Sequence, residues 1–327
     1  MRFTLFAFLA LTSPAIAGIN AVVDTHALPN VARFAEATAT LDVTAQADCR
    51  AEAVRPAFQT AFDAWMGVSH LRLGPLEENG RALSIAFWPD GRGMTQRTVN
   101  RLLQDEDTAV ADAESFAEVS IAGRGFYALE RLLYDEAQSQ YDAESYACAL
   151  VQAQARDLAR SGAELKDAWQ EFAPVLKSAG DAGNTRYLSE KEAIQAVFTA
   201  LTTGLTFDAD TRMGRPLGTF DKPRPKRAEA RRSGRSLRNV ILSMTAMREM
   251  TAALGGDALP LSDASFAETL RLAQELDDPV FASVSDVMGR FKVEVLQLQI
   301  TATKEVVVEE IGAALEVTSG FNLLDGD

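Results

Sequence analysis

Apolar residues that recur at three- and four-residue spacing constrain the fold of this chain more than any other feature. They do so between 141 and 176, and near the C-terminus Val293, Leu296, Ile300 and Val307 form one stripe. This spacing places side chains on one face of an α-helix. Alternating runs of Val, Ile and Thr, which are typical of strands, are nearly absent. The sequence therefore predicts an all-α fold.

The helical segments also suggest how the chain is organised. A length of 327 residues favours about two domains. The Gly- and Asp-containing segment 179–184 is the best boundary, and a long loop is expected at about 204–225. We expect two helical bundles, 18–178 and 179–327, packed side by side. Helices are expected at about 29–47, 51–71, 94–105, 120–135, 141–178, 187–204, 227–254, 263–276 and 280–317.

The first 17 residues have the pattern of a cleavable signal peptide. Arg2 supplies a positive charge, Phe3–Leu11 is apolar, and Ala15 and Ala17 are the small residues of a cleavage site. The apolar run is too short for a transmembrane helix, and no Cys follows it to carry a lipid. Losing Arg2 would change the formal net charge from −14 to −15. We therefore expect an acidic protein, cut after Ala17 and exported to the periplasm without a transmembrane anchor.

Charge narrows the classes of ligand. The acidic chain repels nucleic acid and anionic membrane surfaces and suits a cationic ligand better, although solubility also explains such a charge. The segment from Lys222 to Arg238 is the opposite, with eight basic residues against Glu229 alone. Its partners are expected to be internal carboxylates or an anionic ligand.

The only two cysteines are Cys49 and Cys148. In an exported chain a disulfide between them is the expected state. It would close a loop of roughly 100 residues, for which chain entropy gives about 4–5 kcal/mol. The alternative is a thiolate metal site, which would need further ligands, and no His accompanies either Cys.

The sequence offers few groups for nucleophilic catalysis. Of the two histidines, His26 is expected in a flexible start of the mature chain, and His70 is expected to cap or pack at the end of a helix. The motifs His-Glu-x-x-His, Gly-x-Ser-x-Gly and the phosphate loop are absent. A Ser/His/Asp or Cys/His nucleophile and haem ligation by paired His are therefore disfavoured. Carboxylates, Tyr and Arg remain for chemistry.

Two segments carry candidate site residues. Tyr127 and Glu130 follow a Gly-x-Gly entry and lie three residues apart, on one face of a predicted helix. Together they could form a metal or polar ligand site, and the alternative is an ordinary amphipathic helix with a surface Glu. The segment around Trp88 and Asp90 is expected to be a turn with a packed Trp, because Pro89 and Gly91 favour one.

Five motifs, in the same order, resemble those of the imelysin-like family. Its members are bacterial envelope proteins that are classified as metallopeptidases and associated with iron uptake. The order and spacing of the motifs extend over nearly the whole mature chain. The motifs are Gly74-Pro75, Phe87-Trp88-Pro89-Asp90, Gly125-x-x-Ala128-Leu129-Glu130-x-Leu132-Leu133, Ala228-Glu229-x-x-Arg232-Ser233-Gly234-x-Ser236-Leu237-x-Asn239 at a helix start, and Gly320-Phe321-Asn322-x-x-Asp325-Gly326-Asp327.

The resemblance implies two bundles related by duplication, with a site at their junction. Cys49 and Cys148 stand where related members carry a cysteine pair. On this basis the ligand-binding residues are expected to be Trp88, Asp90, Gly125, Tyr127, Glu130, Arg232, Ser233, Ser236 and Asp325.

The family's proposed metal motif, Gly-x-His-x-x-Glu, has Tyr127 in place of its His in this chain. This substitution disfavours Zn²⁺ and peptidase activity. A phenolate suits Fe³⁺, so Tyr127 and Glu130 could bind ferric iron. The alternative is that the metal has been lost and Glu130 is kept for an ion pair.

Three functional hypotheses follow. The first is a non-enzymatic periplasmic protein of iron or metal acquisition that binds a cation or small ligand at the junction, with outer-membrane or envelope iron-uptake components as partners. The others are a metallopeptidase and a metal-free protein that binds a peptide or partner. We also expect the acidic tail, with Asp325 and Asp327, to dock at Arg232 close to Glu130.

Overall fold

The computed structural model describes residues 18–256 and 259–317. Within these residues the regular secondary structure is helical, apart from one bridge between Thr219 and Lys222. The all-α prediction is therefore confirmed. None of the helices in these ranges is long and apolar enough to cross a membrane. The predicted signal peptide and the tail with Asp325 lie outside the described residues.

Thirteen α-helices lie in the described part of the chain, and two π-helical segments, Val22–Ala27 and Phe207–Met213, extend them. In chain order the helices are α1 (Gly18–Ala21), α2 (Leu28–Ala47), α3 (Ala51–Met66), α4 (Arg81–Ile85), α5 (Met94–Asp105), α6 (Ala113–Ala117), α7 (Gly125–Tyr134), α8 (Tyr146–Lys177), α9 (Glu190–Thr206), α10 (Gly214–Leu217), α11 (Ser236–Gly255), α12 (Pro260–Glu275) and α13 (Val287–Leu315).

The two longest helices, α8 and α13, have a side-chain cap at their N-terminus. Ser145 accepts a hydrogen bond from the backbone N–H of Cys148 at the start of α8, and Asp286 does the same for Gly289 at the start of α13. Such caps satisfy backbone donors that have no partner within the helix. The N-termini of α8 and α13 are thus determined by neighbouring residues in the sequence.

Two expectations about helices are wrong. The first part of the segment predicted as a loop at 204–225 is helical, because α9 continues in wider π turns through Phe207–Met213 into α10, which ends at Leu217. The helix predicted from 227 begins only at Ser236. Ala230 and Gly234 have φ angles of 44° and 73°, and left-handed residues interrupt a right-handed helix.

The expected flexible position of His26 is also wrong. His26 lies in the π-helical segment and is only 1% exposed, because the apolar side chains of Ile19, Val22 and Val23 anchor this segment in the core. Its Nε2 atom lies 2.8 Å from Nε2 of His70, which is also buried. The prediction that His70 packs agrees with its burial and with this contact.

The core joins both halves of the chain. α2 packs along α3 and α8, α13 packs along α9 and α12, and α1 contacts both α9 and α11. Their buried apolar side chains form one contiguous cluster. A loop follows α8 where the domain boundary was expected. The division into two bundles and their duplication stay predictions.

Two features fix the N-terminal helices around α7. The disulfide between Cys49 and Cys148 joins the entrance of α3 to the first turn of α8, which confirms the predicted pairing. Phe126 of α7 stacks on Phe62 of α3, with ring centroids 4.5 Å apart, and also contacts Phe58. α7 is therefore held by apolar packing on the side opposite its polar residues.

Candidate functional site

The glycine that opens α7 allows a close backbone approach. Gly125 has a φ angle of 71°, and a Cβ atom there would lie 2.3 Å from the carbonyl oxygen of Ile85. Only glycine fits this position without a shift of the backbone. Gly125 therefore positions α7 against the end of α4. Its contribution to the expected ligand site is to set the position of this helix.

Glu130 is buried on α7 and held by a distant loop. Its Oε1 atom accepts hydrogen bonds from the backbone N–H of Ser233, at 3.0 Å, and from the Ser233 hydroxyl, at 2.7 Å. Burial raises the pKa of Glu130, although these hydrogen bonds and the charge of Arg232 act in the other direction. The predicted pair Glu130 and Ser233 is thus brought together across 103 residues.

Tyr127 points to a carboxylate that sequence reasoning did not assign to the site. Its hydroxyl donates to Oε1 of Glu229 at 2.6 Å. Burial, followed by the charge of Glu229, raises the pKa of Tyr127 well above its usual value. Oε2 of Glu229 accepts from Nε of Arg212 at 2.8 Å and from Nδ2 of Asn239 at 3.0 Å. The sequence signals for Glu229 were its place in the Ala228-Glu229 motif and its position as the one acid in a basic run.

Arg212 completes a buried polar network behind Tyr127. Its guanidinium pairs with Asp208 as well as Glu229 and donates to the Ser243 hydroxyl at 3.2 Å. Burial alone would lower the pKa of Arg212, but the charges of Glu229 and Asp208 outweigh burial and raise it. Sequence reasoning missed Arg212 because the segment was expected to be a loop. We call Tyr127, Asp208, Arg212, Glu229 and Asn239 the buried network.

A cavity of about 180 Å³ lies in front of this network. It is lined by α7, by the segment around Trp88 and by the segment that leads to α11, so that both halves of the chain contribute. Two acidic residues, Asp90 and Glu130, line it. Six basic residues line it: Arg131, Arg215, Lys226, Arg227, Arg231 and Arg232. We call this cavity the basic pocket.

Among the residues that the structure describes, two of the six cations have an acidic partner. Nη2 of Arg131 lies 3.0 Å from Asp135, and Nε of Arg232 lies 3.2 Å from the same carboxylate. The other four, Arg215, Lys226, Arg227 and Arg231, form no ion pair with any residue that the structure describes.

Burial and mutual repulsion act on the basic side chains of the pocket. Burial and the charge of Arg227 lower the pKa of Arg215, and burial and the charge of Arg232 lower that of Arg231. The charges of Arg227 and Arg232 therefore destabilise the charged forms of Arg215 and Arg231. An anion in the pocket would relieve this repulsion.

The aromatic wall of the pocket is built from predicted residues. The rings of Trp88 and Tyr127 stack with centroids 6.4 Å apart, and the guanidinium of Arg215 lies 5.8 Å from the centroid of Trp88. Asp90 accepts from the backbone N–H groups of Met94 and Thr95, at 2.9 and 2.8 Å. Asp90 thus lines the pocket and also caps α5.

The remaining predicted site residues have separate places. Arg232 lines the pocket and shares Asp135 with Arg131. The Ser236 hydroxyl donates to the carbonyl of Glu229 at 2.5 Å, so it supports the buried network rather than the pocket. In the basic segment 222–238, Arg235 and Arg238 both pair with Asp63 of α3. The prediction of internal carboxylate partners is confirmed for these residues.

The predicted docking of the tail concerns residues outside the described ranges and stays a prediction. The described chain ends at Val317, where Glu316 lies 3.8 Å from Lys191 in the first turn of α9.

The residues around Tyr127 and Glu130 do not fit a bare metal ion. The phenol is a hydrogen-bond donor to Glu229 and its raised pKa disfavours a phenolate, while Glu130 accepts from Ser233. The carboxylates of Asp208 and Glu229 form ion pairs with Arg212. Among the described residues, no group of three or more His, Cys, Asp or Glu side chains could hold a metal.

Residues 27–307 match the model of the family described as Imelysin (peptidase M75). The chain belongs to the imelysin family. No curated protein sequence gives a significant match. The resemblance inferred from the motifs is therefore confirmed.

Two solved structures share the fold of this imelysin-family chain. One is an imelysin-like protein from Psychrobacter arcticum 273-4, with a TM-score of 0.77 and 20% identity, covering 95% of this chain and 100% of that one. The other is described as an iron-regulated protein A precursor from Parabacteroides distasonis ATCC 8503, with a TM-score of 0.70 and 13% identity, covering 91% and 96%. At these identities the likeness shows the fold.

Proposed function

We propose that this imelysin-family protein is an exported, non-enzymatic component of iron acquisition that binds a small anionic ligand in the basic pocket. The observation that carries the proposal is the set of four pocket cations without an ion pair among the described residues: Arg215, Lys226, Arg227 and Arg231. The iron context is supported by the family and by the name of the structural relative from Parabacteroides distasonis.

The charge of the pocket favours an anion over a bare cation. Six basic side chains face Asp90 and Glu130, and a third carboxylate, Asp135, pairs with two of the six. With every group ionised the pocket therefore carries three net positive charges. Arginine donors match carboxylate and phosphate oxygens in geometry as well as charge. The pocket thus has the opposite sign to the chain, whose formal net charge is −14.

A non-enzymatic role is supported by how the polar groups of the pocket are held. Glu130 accepts two hydrogen bonds from Ser233, and the Tyr127 hydroxyl is committed to Glu229. The raised pKa of Tyr127 keeps its hydroxyl protonated as a donor to Glu229, so it is not available as a general base, which must accept a substrate proton.

Titration calorimetry with inorganic phosphate and citrate tests the binding function. We expect binding that weakens as NaCl is raised, because the pocket is charged. Arg227→Gln should lower the affinity about fivefold or more, which is ~1 kcal/mol. Arg271→Gln is the matched control, since it removes one positive charge from an exposed site where Arg271 pairs with Glu268 and Glu275. Equal effects of the two variants, or no anion binding, would overturn the proposal.

The alternative, a metallopeptidase, is favoured by the family's description and is tested separately. Elemental analysis of protein purified from the periplasm, with Fe³⁺ and Zn²⁺ titrations of wild type and Glu130→Ala, should show no stoichiometric metal that depends on Glu130. A peptide mixture should remain uncut. Stoichiometric metal that is lost in Glu130→Ala would restore the metal hypothesis, and cleavage would restore the peptidase.

Export is tested by fractionation. Protein recovered from the periplasm should begin at Gly18, as intact-mass measurement would show. A chain that keeps residues 1–17, or stays in the cytoplasm, would contradict this part of the proposal.

A further inference from the structure

We propose that the basic pocket selects ligands with two or more carboxylate or phosphate groups, one bound near Arg231 and another near Arg215 and Arg227. This inference rests on the proposed function and specifies its ligand. It applies equally to a free polycarboxylate and to its negatively charged ferric complex, because both present the same oxygen groups.

The pocket cations fall into two groups. Arg131 and Arg232 share the carboxylate of Asp135, and Arg231 adjoins them, because its charge and theirs act on one another. Arg215 lies over the Trp88 ring, and the charge that acts on it is that of Arg227. We call these the Asp135 group and the Trp88 group. Each is a separate centre of positive charge.

α7 sets the separation between the two groups. Trp88 stacks on Tyr127, whereas Arg131 follows Tyr127 by one turn and Asp135 by two turns. One turn of an α-helix rises about 5.4 Å, so the groups are roughly 5–11 Å apart along α7. A small di- or tricarboxylate bridges such a distance. A monoanion can neutralise only one group.

The charge of each group gives the number of anionic groups that fit. In the Asp135 group, three arginines face two carboxylates, Asp135 and Glu130. We count Lys226, which precedes Arg227 in the chain, with the Trp88 group; among the described lining residues, the acid that remains for Arg215, Lys226 and Arg227 is Asp90. One negative charge therefore balances the first group and two balance the second. A ligand with three charges matches the pocket as a whole.

The buried part of the pocket also limits the ligand. Arg131 is 6% exposed, and its Nε has no hydrogen-bond partner among the described residues, while Nε of Arg215 is likewise buried without one. A buried donor without a partner lowers stability until an acceptor arrives. One such donor lies in each group. Two separate acceptors on one ligand would satisfy both.

The experiment is a titration series in which charge increases while the carbon skeleton stays simple. The probes are acetate, glutarate and tricarballylate, followed by citrate with and without Fe³⁺. We expect the affinity to rise about tenfold or more with each added carboxylate. Similar affinity for acetate and tricarballylate would overturn the inference while leaving anion binding intact. No binding of any probe would instead overturn the proposed function.

Two single variants test the two groups. Arg231→Gln removes a cation of the Asp135 group and Arg227→Gln one of the Trp88 group, with Arg271→Gln as the control. Each pocket variant should weaken tricarballylate about tenfold and reduce the difference between tricarballylate and glutarate. If either variant left the affinity for tricarballylate unchanged, only one group would bind the ligand, and the proposal would be contradicted. If citrate binds more tightly without iron than with it, the free acid is the ligand. If it binds more tightly with iron, the ferric complex is the ligand.

Discussion

The buried network and the basic pocket lie on either side of Tyr127 and use arginine in different ways. In the network, Arg212 contacts two carboxylates, and Glu229 accepts from Tyr127, Arg212 and Asn239. In the pocket, four of six cations have no ion pair with a described residue. A network in which each carboxylate pairs with a buried arginine stabilises one arrangement of the chain, whereas unpaired cations around a cavity stabilise it only when an anion is bound. The comparison separates structural charges from binding charges.

The largest effect should come from breaking the buried network. Arg212→Ala leaves Glu229 and Asp208 as buried carboxylates without their cation, and such a loss lowers the free energy of unfolding by about 3–5 kcal/mol. Urea unfolding of wild type and variant measures this loss in the free energy of unfolding. Arg271→Ala, which removes an exposed arginine, should leave the free energy of unfolding almost unchanged. Similar losses in both variants would show that burial does not distinguish the two kinds of arginine.

Acid should weaken the part of the core beside the network. Burial, followed by the charge of Arg33, lowers the pKa of His26 from 6.5 to about 4, and burial lowers that of His70. The charged groups that face this pair are Arg33, Arg212 and Glu249, whose carboxylate lies 3.9 Å from His26.

The direction of the change in stability with pH follows from the lowered pKa values of His26 and His70. The folded state binds fewer protons than the unfolded state between pH 6.5 and 4, so stability is complete above 6.5 and falls as the pH drops towards 4. For His26 the loss is about 3 kcal/mol. Urea midpoints measured from pH 7.5 to 4 should show it. A flat profile down to pH 5 would contradict the buried neutral pair.

Glu130 lies at the border between the two regions, and its substitution should act mainly on binding. Glu130→Gln keeps an oxygen that can accept from Ser233 but removes a negative charge beside Arg231 and Arg232. We expect anion affinity at pH 7 to rise about fivefold, with stability changed by about 1 kcal/mol or less. Calorimetry with tricarballylate measures the affinity, and Glu171→Gln on the exposed face of α8 is the control. Weaker binding would mean that Glu130 itself holds the ligand.

The smallest effect on stability is expected for a cation of the pocket. Lys226→Gln removes a charge that no described acid balances, so without ligand the free energy of unfolding should stay the same or rise by about 0.5 kcal/mol at most. At the same polyanion concentration the variant should melt below wild type, because stabilisation by a ligand increases with the logarithm of its affinity. A lower melting temperature without ligand would place Lys226 among the structural charges.

Several features could be predicted because they depend on neighbouring residues. The three- and four-residue spacing gave α2, α5 and α8 close to their observed bounds, and Ser145 marks where α8 begins. The start of α11 was predicted too early, because a pattern of residue types does not show that Ala230 adopts a left-handed conformation. His26 was misplaced because its burial depends on packing against distant helices.

The sequence alone determined the helical class, the family and the cysteine pair, since periodicity, motif order and the count of cysteines are properties of the chain itself. It also placed Tyr127, Glu130, Ser233 and Arg232 in one site. Only the tertiary structure decided what each of them contacts. Glu229 reaches Tyr127 across 102 residues, and Arg212 enters from a segment with no motif. The sign of the pocket depends on which charges find a partner in space, and that depends on burial and distance between segments far apart in the chain.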